Sequence, residues 1–417
     1  MGSSEYRQYL FPHDHPRLAG IRGLDAYGYR EAARKDEFTG GLINGWEPLY
    51  LAPFRGVSEN GEVRPGLHPL ETARPGERAP VEEMREMALR LVDVVSDADR
   101  ERLSFPVDAP EWQTWANPEF MQFDTGLRLD FQPPAVQRAA LALVEASLSP
   151  EGYALVREMM RINGYLGEVV DLPKILNEFS YNIALYGIPD SEQPWGWQLY
   201  GHHAAVNCLV VDGNMIVSPM FLGAEPDQID EGEYAGSGRP FQRRVDLALE
   251  LMNLLPDDQR AAAVLFQQMV DPAMPEGRVH PGDERHLAGA FQDNRVIPFE
   301  GTPVARMPER ARELVLDIVE EFFSVLPEGP RAARMRQVRN HLQDMWWCWI
   351  GGHQPGDVFY FRVQSPVVVA ELDHHCGVFL DYDTPRPFHI HTVLRTPHGN
   401  DYGRAWVTQW PSGNLEE

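Results

Sequence analysis

The hydrophobic period of this chain changes three times along its length, and that alternation bounds its fold more tightly than any other feature. Between residues 81 and 164 the period is helical. Met84, Met87, Leu91 and Val94 recur on one face, and "PPAVQRAALALVEASLS" and "SPEGYALVREMMRING" continue the pattern. In the last segment Ser149 suits an N-cap, Pro150 the first turn and Gly164 the stop. From 197 to 220 the period falls to two, and the segment reads as two strands joined at Asp212-Gly213, a strong hairpin signal. His202 and His203 then fall within the first strand. The helical period returns over 241–271, in "MPERARELVLDIVEEFFSVL" and in "PRAARMRQVRNHLQDMWW". The C-terminal part is β again, with "DVFYFRVQ", "PVVVAELDHH" and "FHIHTVLR" as successive short strands.

Helices separate the β segments, and none of these is long enough to form its own core. The pattern therefore predicts one compact α+β domain over 1–417, with a largely antiparallel sheet in which the 197–220 hairpin joins the C-terminal strands under a cover of helices. Residues 1–78 read as loop-rich, 79–180 and 240–346 as helical, and 195–222 and 347–410 as sheet-forming.

Composition removes several classes of function. A formal net charge of −25 argues against a nucleic-acid partner, whose phosphates need clustered Lys and Arg. Cys208, Cys348 and Cys376 form no Cys-x-x-Cys pair and are odd in number, which does not suit a disulfide framework. "MGSSEYRQYLFPHDHPRL" has no apolar core of a signal peptide, and no apolar run is long enough to cross a bilayer. A cytoplasmic protein without a membrane partner is the expectation. Nucleophile-elbow, H-E-x-x-H and P-loop motifs are absent, as is a dinucleotide fingerprint.

The chemistry-bearing residues gather in the β segments. In "FHIHTVLR" strand alternation puts His389, His391 and Val393 on one side, and Phe388, Ile390 and Leu394 on the other. Two imidazoles so placed can reach one metal ion, and such donors suit Zn, Fe, Mn, Ni or Cu. In "ELDHH", Glu371, Asp373 and His375 share a face, and at most one of His202 and His203 points at a common ion. Of the 14 histidines, five lie between 374 and 398 and two more at 202–203, a clustering that points to a metal or acid–base centre. His13, His15, His68, His280, His286, His341 and His353 read as ordinary.

Other groups complete the candidate site. Trp195 and Trp197, beside the His pair, can wall an apolar cavity for an aromatic or alicyclic ligand. Arg362 and Arg395 suit a substrate carboxylate, and Gln292 and Asp293 in "GAFQDN" can orient a ligand. His398 and Asp401 in "PHGNDYG" are candidates for proton transfer.

Five ordered segments carry a family resemblance: "PFRGVSENGEVRPGLHPL", "WGWQLYGHHAAVNCLVVDGNMIVSPMFLGAEP", "GAFQDN", "VFYFRVQSPVVVAELDHH" and "HIHTVLRTPHGNDYG". Together they resemble domain-of-unknown-function family 3500, over roughly 45–405, a family without an assigned reaction. The resemblance implies that G-H-H, the acidic-His strand and H-x-H belong to one pattern, favouring His202, His203, Glu371, His389 and His391 as one site. His398 stands where that pattern leads one to expect a polar turn residue such as Asn. After "NDYG" the family commonly continues into a further His-bearing helix, where this sequence has "RAWVTQWPSGNLEE".

These readings converge on an enzyme that uses a divalent ion (Fe, Mn or Zn) held by His389, His391 and one of His202 and His203. Glu371 is the expected fourth ligand or base. Hydrolysis of a small aromatic or cyclic molecule through a metal-bound water is the expected reaction. The alternatives are a non-haem iron or manganese oxygenase and a non-catalytic ligand-binding protein.

Overall fold

In the computed structural model, which describes residues 5–190 and 192–411, the β segments join one mostly antiparallel sheet of twelve strands. In chain order these are β1 (Ser104–Phe105), β2 (Leu127–Arg128), β3 (Tyr181–Tyr186), β4 (Trp195–Gly201), β5 (Ala204–Val211) and β6 (Asn214–Ala224). They continue as β7 (Val264–Phe266), β8 (Thr302–Pro303), β9 (Trp346–Gly351), β10 (Phe359–Ser365), β11 (Val368–His374) and β12 (Ile390–Arg395). The strand order is β1-β3-β4-β5-β6-β12-β11-β10-β9-β7, with β2 on β3 and β8 on β9. The 195–224 strands thus meet the C-terminal strands through β6 and β12, and the fold is α+β.

The described residues also form twelve α-helices, beginning with α1 (Pro16–Ala19), α2 (Ala26–Lys35) and α3 (Glu37–Tyr50). These replace the loop expected before residue 51. The starts of α2 and α3 were marked by acidic caps: Asp25 accepts from the Gly28 amide, and Asp36 from those of Phe38 and Thr39. Next come α4 (Val81–Val94), α5 (Asp97–Leu103), α6 (Pro134–Ser147) and α7 (Pro150–Val169). The remainder are α8 (Gln242–Leu254), α9 (Asp257–Ala263), α10 (Glu309–Phe322), α11 (Glu328–Asn340) and α12 (Arg404–Gln409). No helix among the described residues is long and apolar enough to cross a membrane.

Ser149 caps α7 as expected, accepting from the Gly152 amide at 2.8 Å, but the helix runs through Gly164 to Val169. The glycines serve packing here, not termination. A Cβ on Gly167 would lie 1.9 Å from the Leu176 carbonyl oxygen, and one on Gly164 would lie 3.1 Å from the Glu178 amide nitrogen. They admit the 176–178 backbone against the helix.

The predicted first strand of the 197–220 hairpin is also two strands. β4 and β5 pair from Trp195↔Val210 to Gly201↔Ala204, leaving His202 and His203 as a two-residue turn with His203 left-handed at φ +63°. The expected turn at Asp212-Gly213 then links β5 to β6.

The two faces of the central sheet differ in kind. Cross-strand pairs put Gly223, His391, Asp373 and Tyr360 in one row, and Phe221, Val393, Glu371 and Arg362 in the next, all on one face. The opposite face carries Leu222, Leu372 and Phe361, and Arg244 of α8 reaches Thr392 there at 3.0 Å. A polar face at the middle of a buried sheet requires partners from elsewhere in the chain.

Gly167→Ala should be strongly destabilising, by about 3 kcal/mol or more, because rigid backbone must move to admit one methyl group. Urea unfolding against wild type measures it, and a loss under 0.5 kcal/mol would contradict the close-approach argument.

Candidate metal centre

Three imidazoles converge on the polar face. His389 immediately precedes β12, His391 lies within it, and His203 arrives from the β4–β5 turn. The Nε2 of His391 lies 3.0 Å from that of His389 and 3.1 Å from that of His203. Nitrogens bound to one tetrahedral ion at about 2.0–2.1 Å lie about 3.3 Å from each other, so this spacing is close to that of a ligand set. The approach depends on Gly223, opposite His391 on β6. A Cβ there would come 2.8 Å from Cδ2 of His391 and 2.9 Å from Cδ2 of His203.

All three rings are nearly inaccessible to solvent. Burial, reinforced by neighbouring histidines, holds the pKa of each well below the ordinary imidazole value, so they remain neutral and able to donate a lone pair. His389 is oriented from behind. Its Nδ1 lies 3.1 Å from the Tyr382 hydroxyl and 3.5 Å from Glu225, to which that hydroxyl donates at 2.6 Å. Nδ1 of His203 is buried without a hydrogen-bond partner. Its ring stacks on that of His202 at 3.8 Å. His202 itself turns aside, with Nδ1 2.8 Å from Oδ1 of Asn163, and burial lowers its pKa to about 3. Of the adjacent pair, His203 is therefore the one in the converging set.

His375 and His286 extend the cluster. His375 follows β11, its ring centroid 3.8 Å from that of His391. His286 comes from the loop between β7 and β8, and its ring is parallel to that of His391 within 13° at 6.3 Å. Sequence reading classed His286 as ordinary because a loop has no period to place it; the neighbouring "GDERH" run of charge was the available signal. The potential ligand atoms of His203, His389 and His391 lie within 4.8 Å of one another, as do those of His286, His375 and His391, and those of Glu284, Asp373 and His375.

Glu371 lies behind this cluster and not in it. Its carboxylate accepts from the amides of Leu287 (3.0 Å) and Ala288 (2.9 Å) and the Tyr360 hydroxyl (2.5 Å), and lies 3.6 Å from Nδ1 of His286. Burial alone would raise its pKa, but His286, Arg362 and Tyr360 outweigh that and hold it at about 2. Asp373 likewise stays ionised against burial, gripped by Arg285 at 2.7 Å and lying 3.2 Å from His375.

The remaining sequence candidates build the frame. Arg395 donates to the carbonyls of Ala288 and Gly289 and pairs with Asp293 and Asp401. Asp401 also accepts from Ser218 at 2.6 Å and from the Thr396 amide. Arg362 is held by Tyr360, the Pro298 carbonyl and Glu300. Trp195 and Trp197 are fully buried in β4, and Trp197 donates to Ser147 at 2.9 Å. Gln292 is half-buried in the loop beside Asp293. His398 is remote from the cluster, between the Arg64 amide at 3.1 Å and Glu59 at 2.9 Å.

A cleft of about 750 Å³ opens onto the cluster, with His203, His375, His389 and His391 in its lining. Its walls are largely apolar: Leu18 and Ile21 near α1, Trp46 of α3, and Phe120 and Phe379. Asp283, Glu119 and Asn117 supply polar points among them. Tyr29 of α2 donates to Glu119 at 2.7 Å, tying the N-terminal helices to the wall. Sequence reading assigned none of these wall residues to the site.

A family model described as "Protein of unknown function (DUF3500)" matches residues 77–404, so the chain belongs to that family. The first of the five resembling segments, 53–70, and the helices α1 to α3 lie outside the matched stretch. No curated protein and no solved structure matches the chain.

Arg395→Met should cost about 3–5 kcal/mol, because Asp293 and Asp401 keep their buried charge and lose their cation. Thermal or denaturant unfolding checks this. Arg395→Met combined with Asp293→Asn should recover part of the loss, whereas equal stability of the single variant and wild type would refute the pairing.

Proposed function

We propose that this protein is a metal-dependent enzyme in which His203, His389 and His391 hold a divalent ion at the floor of the cleft. The observation that carries the reading is the convergence of three buried, neutral Nε2 atoms at 3.0–3.1 Å, because neutral imidazoles gain little by facing one another unless a shared Lewis acid or proton lies between them. Iron, manganese and zinc all suit such donors. The metal supplies Lewis acidity, lowering the pKa of a bound water toward neutrality and polarising a substrate bond.

The chain's own groups support hydrolysis of a small molecule with an aromatic or cyclic body. Trp46, Phe120 and Phe379 offer ring faces and edges to such a body. Asp283 lines the same cleft, and burial raises its carboxyl pKa above the ordinary value, which makes it a stronger proton acceptor than an exposed carboxylate. Glu371 acts through His286 as a positioning residue and does not touch substrate.

An all-imidazole set also suits O₂ chemistry at iron or manganese, and oxygen uptake by Fe(II)-loaded protein would move the assignment to an oxygenase. A non-catalytic ligand-binding protein would instead show no stoichiometric metal.

Elemental analysis of protein purified without a histidine tag tests the reading. Wild type should carry bound Fe, Mn or Zn, and His389→Ala and His203→Ala should each lose about one equivalent. A wild-type protein that neither retains nor takes up metal would sink the metalloenzyme reading. Gly223→Ala should lower metal affinity at least tenfold in a competition titration with a chelator, because its methyl group pushes on both His203 and His391. Unchanged affinity would show that these rings are not ligands.

A further inference from the structure

The histidine cluster is longer than one ion requires. His203 and His389 lie at one end, with ring centroids 5.0 and 4.7 Å from that of His391. His286 lies at the other end, 6.3 Å from the same ring, and His375 stands between, 3.8 Å from His391, 5.5 Å from His389 and 5.6 Å from His286. His391 belongs to both three-residue groups whose ligand atoms fall within 4.8 Å. The His286 ring is 1% exposed; its Nε2 is buried without a hydrogen-bond partner, and its Nδ1 faces the Glu371 carboxylate at 3.6 Å. A buried ring nitrogen without a partner is costly unless something binds there.

Charge supports a cation at this second end. Glu371 lies 3.6 Å from His286 Nδ1 and Asp373 lies 3.2 Å from His375 Nε2, both carboxylates buried within the sheet. Carboxylates behind histidine ligands orient the ring and raise its basicity. They also offset the repulsion between two neighbouring cations. The third group, Glu284, Asp373 and His375, differs because Arg285 already pairs with both of its acids and occupies the cation's place.

We propose that the centre is binuclear, with a second divalent ion held by His286 and His375 beside the first, the two positions bridged by His391 as an imidazolate that binds one ion through each ring nitrogen and gives up its N–H proton to solvent when the second ion enters. This rests on the metalloenzyme reading above and extends it: two ions so bridged can hold a water and the scissile group on separate ions.

The test loads metal-free, tag-free protein with Mn(II) alone, removes free ion, and measures stoichiometry together with the electron paramagnetic resonance spectrum. Wild type should take up two equivalents with an exchange-coupled spectrum. His286→Ala should take up one, with the simple six-line signal of an isolated Mn(II); His203→Ala should keep only the second ion, and His391→Ala should bind neither tightly. If His286→Ala does not fold, by circular dichroism and thermal melting, His375→Gln replaces it with the same expectation. Saturation of wild type at one equivalent, with uptake unaffected by His286→Ala or His375→Gln but lost in His203→Ala, would overturn the second site and leave the single-ion reading standing. No uptake by wild type would overturn both.

Discussion

Everything at the candidate centre depends on buried ion pairing between the sheet and one loop. Glu371, Asp373, Arg362 and Arg395 project from the middle of a twelve-stranded sheet, where an unpaired charge would cost several kcal/mol. The segment 283–293 lies over them and meets three of these needs in turn, while Pro298 and Glu300 just beyond it meet that of Arg362. Its Leu287 and Ala288 amides take Glu371, its Arg285 takes Asp373, and its Ala288 and Gly289 carbonyls and Asp293 take Arg395. A stretch without regular secondary structure is thereby fixed by the charges it neutralises. The same stretch delivers His286 to the cluster and Asp283 to the cleft.

The imidazoles are treated in the opposite way. The carboxylates are buried with strong partners and stay charged; His203, His389 and His391 are buried facing mainly one another and stay neutral. An imidazole kept neutral by burial retains the lone pair that a cation needs, which a protonated ring would lack.

The strand period exposed part of this centre. Alternation placed His389 with His391, and Glu371 with Asp373 and His375, because a period of two allows no other arrangement once a strand is assigned. The same rule failed at His202 and His203, which form a turn whose left-handed residue had no Gly, Asn or Asp to announce it. Arg362, Arg395, Trp195 and Trp197 were noticed for their chemistry, but residue type cannot separate a side chain that binds a ligand from one that fills a core or closes a buried ion pair. The sheet's joining of the 195–224 and C-terminal strands was legible. The strand Tyr181–Tyr186 was not, since a run buried on both faces has no alternation to detect. The helices of residues 16–50 were hidden by glycines and a proline, although Asp25 and Asp36 carried the cap signal.

Those helices give the molecule a division of labour. The floor of the cleft comes from sheet and loop within residues 77–404, while Leu18, Ile21, Tyr29 and Trp46 come from chain outside that stretch. They reach the rest of the site through side-chain contacts such as Tyr29 to Glu119 and the Trp46 ring against Phe291, and not through shared strands of the sheet. Part of the cleft wall and the histidine floor are thus encoded in separate lengths of sequence. Drift or redesign in the first fifty residues can recut the mouth of the cleft while the histidine floor keeps its spacing.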